Sequence, residues 1–327
     1  MPSKYYFGRV LGILGADLIV AKGSSIHIAD PDRGSSKPLV FLPVNFLIRL
    51  LMRLDFFSRL FRLEISHIEF SCDHIYVFAN KKIFIFDRCN QRFFESIDIK
   101  FRPIVIAQNS TAIFFGEYKN NKTRDPVAFY KLEGTVLNKI HELVGIRHIH
   151  GVQVDSFTGK LVVTTGDSDS ESGILLFDGD WETLVEGSQL SRAVSVVFEK
   201  DFYAYATDTP LKQNYWCKVC RDTKVTVKKV AIPSSVFYSV SANDSTHFFS
   251  TVVEPSRVNT TRYVRVYMVK DDMLVLVLKV KKDPLPCWLF QHGQVTQVID
   301  ERRRGVWVSF KATKHSGRYQ FVEWPGS

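Results

Sequence analysis

Two histidines stand one residue apart at the start of a strand-like segment, and a carboxylate-rich stretch follows the next such segment. His148 and His150 occupy alternate strand positions, so both imidazole rings are expected to point to the same side. Two imidazoles and a carboxylate form a donor set that divalent metals accept. The pattern predicts either a cation site at His148, His150 and Asp167, with no other cofactor, or a pair of ordinary structural histidines.

Several carboxylates stand where two of them could act together on a glycosidic bond. Glycoside cleavage uses one carboxyl group as an acid and a second as a base or nucleophile. Beside the two histidines, the catalytic candidates are Asp167, Asp169, Glu171, Glu117 and Asp208. The acidic stretch also offers oxygen ligands for calcium, although it lacks the glycine and the remaining ligands of an EF-hand loop.

Polar and aromatic residues near these carboxylates are candidates for substrate binding. Arg192 can neutralise the carboxylate of an acidic sugar or simply pair with one of the acids. Tyrosine rings can provide an apolar platform for a sugar ring. The substrate-binding candidates are Tyr118, Gln189, Arg192, Asn214 and Tyr215.

The elements that must position these residues repeat along the chain. An apolar strand that ends in a small or polar residue recurs seven times, mostly about 40 residues apart, which is typical of propeller blades. The copies lie at 18–22, 75–80, 113–117, 161–167, 203–208, 247–251 and 306–311. The sequence therefore predicts an all-β, closed β-propeller of seven four-stranded blades in a single domain, 1–327. Six or eight blades, or an irregular pair of β-sandwiches, are the alternatives.

Strand direction in a blade predicts which motifs meet. Antiparallel strands alternate in direction, so the loop entering the innermost strand and the loop leaving the second strand open onto the same face. His148 and His150 open one innermost strand, and Asp167 follows the second strand of that blade. Arg192 and Asp208 hold the equivalent positions in the next blade. We therefore expect all the candidate residues to converge on one face of the propeller.

One segment, 44–63, departs from the strand pattern. Its apolar residues recur at helical spacing, and its arginines gather on the opposite half of the helical wheel. This indicates one amphipathic helix, or two short ones, inserted between the first and second blades. The four arginines, Arg49, Arg53, Arg59 and Arg62, predict contact with an anionic membrane surface. The alternative is a helix that packs on the side of the propeller.

Composition narrows the partners and the location. The formal charge of +9 suits nucleic acid, an anionic membrane or an acidic glycan. No recognised nucleic-acid-binding motif accompanies this charge, so nucleic acid is not expected as a partner. The first residues lack the charged and then apolar layout of a secretory signal. A cytoplasmic location is expected, with peripheral association at the inner face of the membrane as an option.

The stretch 116–214 resembles the sialidase-like propeller proteins that carry BNR repeats, or Asp boxes. The similarity lies in the string around His148 and His150, the stretch 165–172, and the residues from Gln189 through Asn214. Relatives of this kind are associated with bacterial surface-polysaccharide genes, so the resemblance implies a carbohydrate context. The Asp box at 177–181 is shortened, and the arginine triad of true sialidases is missing, which disfavours hydrolysis of sialic acid.

Three functional hypotheses follow from these patterns. The first is a carbohydrate-active enzyme of surface-polysaccharide metabolism that cleaves or transfers a glycosidic bond on a glycan or lipid-linked glycan. The second is a non-catalytic propeller that binds a glycan or scaffolds an assembly. The third is a metal-dependent polysaccharide lyase built on His148 and His150.

Overall fold

A computed structural model describes residues 4–242 and 246–324, in which the chain forms 28 strands and three helices. The first nine strands are β1 (Tyr6–Phe7), β2 (Arg9–Leu14), β3 (Asp17–Lys22), β4 (Ser25–Asp30), β5 (Ser35–Phe41), β6 (Ile65–Phe70), β7 (His74–Ala79), β8 (Lys82–Asp87) and β9 (Phe93–Asp98). The next eight are β10 (Ala107–Gln108), β11 (Ile113–Gly116), β12 (Val127–Glu133), β13 (Val136–Leu143), β14 (Ile149–Val154), β15 (Leu161–Thr165), β16 (Gly173–Asp178) and β17 (Asp180–Glu186). The remaining strands are β18 (Ala193–Phe198), β19 (Phe202–Thr207), β20 (Asn214–Cys220), β21 (Thr226–Ile232), β22 (Val236–Ser241), β23 (His247–Thr251), β24 (Tyr263–Lys270), β25 (Met273–Lys281), β26 (Gln294–Asp300), β27 (Gly305–Lys311) and β28 (Arg318–Glu323).

These strands form seven four-stranded antiparallel sheets, which are the blades of a seven-bladed β-propeller. Six blades are made of four consecutive strands each, from β2–β5 through β22–β25. The seventh blade has the order β1-β28-β27-β26, in which Tyr6 pairs with Tyr319. The predicted fold class and blade number are therefore confirmed, and the sandwich alternative is wrong.

The recurring apolar segment seen in the sequence is the second strand of every blade. Its seven copies correspond to β3, β7, β11, β15, β19, β23 and β27. Every residue of β15 and β23 is buried. A strand covered on both faces has no need to alternate apolar and polar residues, and this is why the signal is strong in the sequence.

By its internal contacts the chain divides into two compact units. The first comprises 4–100, 263–266 and 276–324, and the second comprises 101–262 and 267–275, apart from the few residues not described. Ile19, Met52, Val77 and Phe86 belong to a buried cluster of the first unit. In the second unit, buried clusters include Phe129 and Val163 on one side of the blade β14–β17. Such burial of large apolar side chains is the main stabilising contribution to a fold of this kind.

The predicted helical segment at 44–63 is confirmed and consists of two short helices, α1 (Phe46–Arg53) and α2 (Asp55–Phe61), between β5 and β6. A third helix, α3 (Cys287–Phe290), follows β25. Asn45 caps α1 by accepting a hydrogen bond from the amide of Ile48 at 2.9 Å. None of the helices in 4–242 and 246–324 is long and apolar enough to cross a lipid bilayer.

Arg59 differs from the other arginines of this segment. Its side chain is only 4% exposed and donates to the carboxylate of Asp283 at 2.5 Å and to the carbonyl of Phe290 at 2.8 Å. The expectation that Arg59 faces a membrane surface is therefore wrong. The carboxylate of Asp283 and the carbonyl of Phe290 stabilise the buried guanidinium group, and removing Arg59 would leave both acceptors without this partner, which would destabilise the fold.

Candidate functional site

Four loops of the second unit bring the central candidates together. His148 precedes β14 and His150 lies within it, while Asp167 follows β15 in the same blade. Arg192 precedes β18, and Asp208 follows β19 in the next blade, where its amide donates to the Arg192 carbonyl at 2.8 Å. These are the loop positions that strand direction predicts to share a face.

His148, His150 and Asp167, the histidine cluster, place three side-chain atoms close to one another. Nε2 of His148 lies 3.0 Å from Nε2 of His150, and each of these atoms lies 3.4 Å from Oδ1 of Asp167. Both histidines are almost fully buried. The pairing register between β14 and β15 shifts at His150, and such a bulge re-aims a side chain relative to its neighbours.

The hydrogen bonds on the far side of each ring decide where the ring protons lie. Nδ1 of His148 is 3.1 Å from the carbonyl of Lys119, and Nδ1 of His150 is 3.0 Å from the carbonyl of Ala193. A carbonyl oxygen only accepts, so both Nδ1 atoms carry the hydrogen. In their neutral forms the two rings then present bare Nε2 lone pairs to each other and to the Asp167 carboxylate.

The backbone at Gly166 sets the direction of Asp167. Gly166 has a φ of +80°, in the left-handed region, and a Cβ at this position would collide with the carbonyl oxygen of Glu171. Only glycine fits both the dihedral angle and the close approach. The sharp turn after β15 therefore returns the chain towards the histidines.

Two arginines flank the histidine cluster and determine the charge on Asp167. Arg147 donates to Oδ2 of Asp167 at 2.8 Å, and Arg192 Nη2 lies 3.0 Å from Oδ1. Burial opposes ionisation of this carboxyl group, but the positive charge beside it, that of Arg192 above all, outweighs burial and holds its pKa well below the usual range. Asp167 is therefore ionised at any physiological pH. Burial lowers the pKa of His150, which favours its neutral ring.

Asp208 is the second carboxyl group beside Arg192. Its Oδ2 lies 3.5 Å from Arg192 Nη2, and the residue is 3% exposed. Within 4–242 and 246–324, its Oδ1 has no hydrogen-bond partner. Burial, with smaller contributions from Glu254 and Asp167, raises the pKa of this carboxyl group. Arg192 thus lies between one carboxyl group with a lowered pKa and one with a raised pKa, a combination that acid–base sites use.

Three further candidates brace the loops instead of joining the cluster. Glu171 accepts hydrogen bonds from Arg124 Nε at 2.7 Å and from the Arg147 amide at 3.0 Å. Asp169 accepts from the Gln189 amide at 2.8 Å, and the Gln189 side chain donates to the Asp167 carbonyl at 2.9 Å. These bonds hold the loops that carry Asp167 and His148 in place.

The remaining predicted residues divide between the cluster and the surrounding scaffold. The ring of Tyr118, 37% exposed, lies 4.2 Å from the ring of His148. Glu117 accepts from the Ala128 amide and the Tyr130 hydroxyl. Asn214 bonds internally to Thr207 and Thr209, and Tyr215 packs against a buried cluster. Its ring lies 3.9 Å from the Lys229 ammonium.

Two arginines of this site, Arg147 and Arg124, belong to none of the predicted sets of residues. Arg147 stands directly before His148, in the loop that enters an innermost strand. Arg192 was predicted from the equivalent position in the next blade, so the same reasoning could have identified Arg147. Arg124 lies in the 117–126 loop between β11 and β12, where no spacing relates it to Glu171. Its role depends on a contact across 47 residues of sequence.

Comparison with known proteins supports the fold alone. No family model and no curated protein matches the sequence. A chain in a crystal structure of a mitotic checkpoint complex is similar with a TM-score of 0.61 at 12% identity, over 99% of this chain and 91% of that one. The extracellular domain of BT4673 from B. thetaiotaomicron has a TM-score of 0.61 at 10% identity, over 98% of this chain and 40% of that one. Dihydro-heme d1 dehydrogenase NirN has a TM-score of 0.56 at 10% identity, over 93% and 60%.

Proposed function

We propose that the chain is a metal-dependent carbohydrate-active enzyme that cleaves a glycosidic bond in an acidic glycan, with His148, His150 and Asp167 as metal ligands. The observation that carries this proposal is the meeting of three acceptor atoms within 3.4 Å of one another. Because both Nδ1 hydrogens are committed to backbone carbonyls, the facing lone pairs repel one another unless a cation lies between them.

The size of the histidine cluster suits a small divalent metal ion. Zinc bonds of about 2.0–2.1 Å place neighbouring tetrahedral ligands about 3.3 Å apart. The three separations in the cluster are 3.0, 3.4 and 3.4 Å. Three protein ligands leave one position open for water or substrate, as in catalytic zinc sites. We expect zinc first, with manganese as the alternative that the carboxylate ligand allows.

Groups behind the ligands hold them in the orientation that metal binding needs. Each ligating histidine donates its other ring hydrogen to a backbone carbonyl, and Asp167 accepts from Arg147 through its second oxygen. Such outer contacts fix ring orientation and tautomer in metal sites. This arrangement supports a built site over an accidental meeting of polar residues.

An acidic sugar is the substrate class that the surroundings favour. Arg147 and Arg192 supply two guanidinium groups that can bind a sugar carboxylate, and the half-exposed Tyr118 ring offers an apolar surface beside them. The resemblance of 116–214 to sialidase-like propellers supports a surface polysaccharide, or its lipid-linked precursor, as the source of this sugar.

The chemistry of cleavage divides between the metal and the protein groups. A bound divalent metal polarises a coordinated oxygen or lowers the pKa of a water molecule. Arg192 orients the sugar carboxylate and keeps Asp167 ionised. We assign to Asp208, whose raised pKa lets it hold a proton near neutral pH, the donation of a proton to the leaving group. Hydrolysis would use these roles with water adding to the anomeric carbon and its released proton returning to Asp208. Elimination would need, in addition, a base such as water to take the proton from the carbon beside the sugar carboxylate.

A metal-binding experiment tests the ligand set. Wild-type protein, stripped with a chelator and dialysed against zinc or manganese, should retain about one ion per chain by elemental analysis. His150→Ala should weaken binding by at least about 100-fold, since loss of outer contacts alone costs up to that much. His141→Ala, in β13 and outside the cluster, is the matched control and should bind normally. If the wild-type protein retains neither metal and its Tm does not rise with either, the metal assignment is wrong.

An activity screen on acidic polysaccharides tests the reaction. An unsaturated product that absorbs in the ultraviolet indicates elimination, and new reducing ends without that absorbance indicate hydrolysis.

Internal bonding of Asp169, Glu171 and Asn214 favours the second candidate function, a non-catalytic glycan-binding or scaffolding propeller. Saturable glycan binding without product would support that candidate and would contradict an enzymatic role.

A further inference from the structure

Helices α1 and α2 carry a second apolar face in addition to the one that packs on the first unit. Ile48 and Met52 turn inward and contact the buried cluster of β3–β8. The outward residues occupy positions i, i+4 and i+8 of the same segment and continue along α2. Those that are exposed are Phe46, Leu47, Leu50, Leu54, Phe56, Phe57 and Phe61. A run of exposed large apolar residues of this length marks an interaction surface.

Helix α3 extends this surface from a distant part of the sequence. Arg59 Nε and Nη2 both donate to the Phe290 carbonyl, and Gln291 donates back to the Arg59 carbonyl at 2.9 Å. The rings of Phe56 and Phe290 are 4.6 Å apart. These contacts fix α3 beside α2, where Trp288 is 79% exposed. Buried Arg59 thus holds an exposed tryptophan next to the apolar residues of α2.

Basic groups border the apolar residues. Arg49, Arg53 and Arg62 are exposed, and α1 has no acidic residue in its own first turn. An open cavity of about 100 Å³ beside the helices is lined by Arg9, Lys22, Arg53, Arg59 and Lys311, together with two acidic residues, Asp55 and Glu64. Among the exposed charged residues of 46–62, three are arginines and one, Asp55, is acidic, so the charge on this surface is predominantly positive.

We propose that this surface, defined by the exposed residues of α1 and α2 with Trp288, docks on a bilayer that contains anionic lipids. Phenylalanine, leucine and tryptophan suit the boundary between headgroups and acyl chains, and arginines beside them suit lipid phosphates. A second copy of the chain is a poorer occupant, because a two-fold contact would bring the arginines of both copies together. This docking surface does not depend on the metal site or on any enzymatic activity.

Vesicle flotation of the full chain tests the charge requirement. The protein should float with vesicles of phosphatidylcholine and phosphatidylglycerol and much less with phosphatidylcholine alone. Each arginine near an anionic surface strengthens partitioning about fivefold, so Arg49→Gln/Arg53→Gln/Arg62→Gln should weaken it about 100-fold. Lys37→Gln/Arg302→Gln/Arg304→Gln removes the same charge from exposed positions elsewhere and should change it little. Arg59 is left intact because it is part of the fold.

Tryptophan fluorescence tests which residues enter the bilayer. Brominated acyl chains should quench the emission of Trp288, because the chain's other four tryptophans are far less exposed. Trp288→Phe should abolish the quenching and keep the flotation. Absence of flotation, or equal flotation of the two triple variants, would overturn the proposal. Self-association that shields Trp288 without vesicles, together with failure to float, would assign the surface to a second copy.

Discussion

Replacing Glu69 by glutamine should make the stability of the protein depend less on pH. Glu69 lies on β6, the first strand of its blade, and burial raises the pKa of its carboxyl group from 4.5 to about 7. The folded state therefore binds this proton more tightly than the unfolded state does. The stabilisation is complete below pH 4.5 and is lost as the pH rises through 7.

The size of the effect follows from the shift. A rise of the pKa from 4.5 to about 7 corresponds to about 3 kcal/mol of unfolding free energy. The wild-type protein should lose about 2.5 kcal/mol of this stability as the pH rises from about 5 to about 8.5. Relative to wild type, Glu69→Gln should gain this amount of stability over that interval, since glutamine cannot ionise.

Equilibrium denaturation followed by tryptophan fluorescence at the two pH values measures the difference. Glu323→Gln, at an exposed end of β28, is the control and should differ from wild type by less than about 0.5 kcal/mol at both pH values. A Glu69→Gln difference that stays constant across the interval would refute the reasoning, because it would mean that Glu69 ionises alike in both states.

Two other substitutions test how the loops and blades are held. Gly166→Ala should lower the free energy of unfolding by about 1–3 kcal/mol through backbone strain alone, and it should weaken metal uptake because Asp167 follows this turn. Gly159→Ala is the control, since Gly159 also has a positive φ but has open space around it; this variant should be destabilised less and should take up metal normally. Equal metal uptake by the two variants would contradict the role of Gly166. Arg221→Met should cost about 3–5 kcal/mol in chemical denaturation, because it leaves the fully buried Asp155 carboxylate without its bidentate partner. Adding Asp155→Asn should recover part of that loss, and failure to do so would show that the pair is not coupled.

The fold was accessible from the sequence because its signal is local and repeated. The second strand of each blade is buried on both faces, so each copy reads as an apolar run without knowledge of its neighbours. Strand direction then placed His148, His150, Asp167, Arg192 and Asp208 on related loops, and the structure brings their side chains into contact.

The unpredicted features depend on contacts between distant residues. A helical wheel groups Arg59 with three exposed arginines, but it contains no information about Asp283 or the Phe290 carbonyl, which lie more than 220 residues away. Glu171 likewise reads as a free carboxylate until the loop with Arg124 folds against it. Residue type predicted that these groups are important, whereas their partners determined whether they face solvent or brace the fold.

The blade β1-β28-β27-β26 has a consequence for biosynthesis. Tyr6 pairs with Tyr319, so roughly 300 residues must be translated after β1 before its partner strand exists. At about 5–20 residues per second this takes on the order of 15–60 s. During that interval β1 lacks its partner strand β28, and an open strand edge can pair with another chain. We expect nascent chains that end before Arg318 to need chaperone protection, and that need should disappear once β28 has been made.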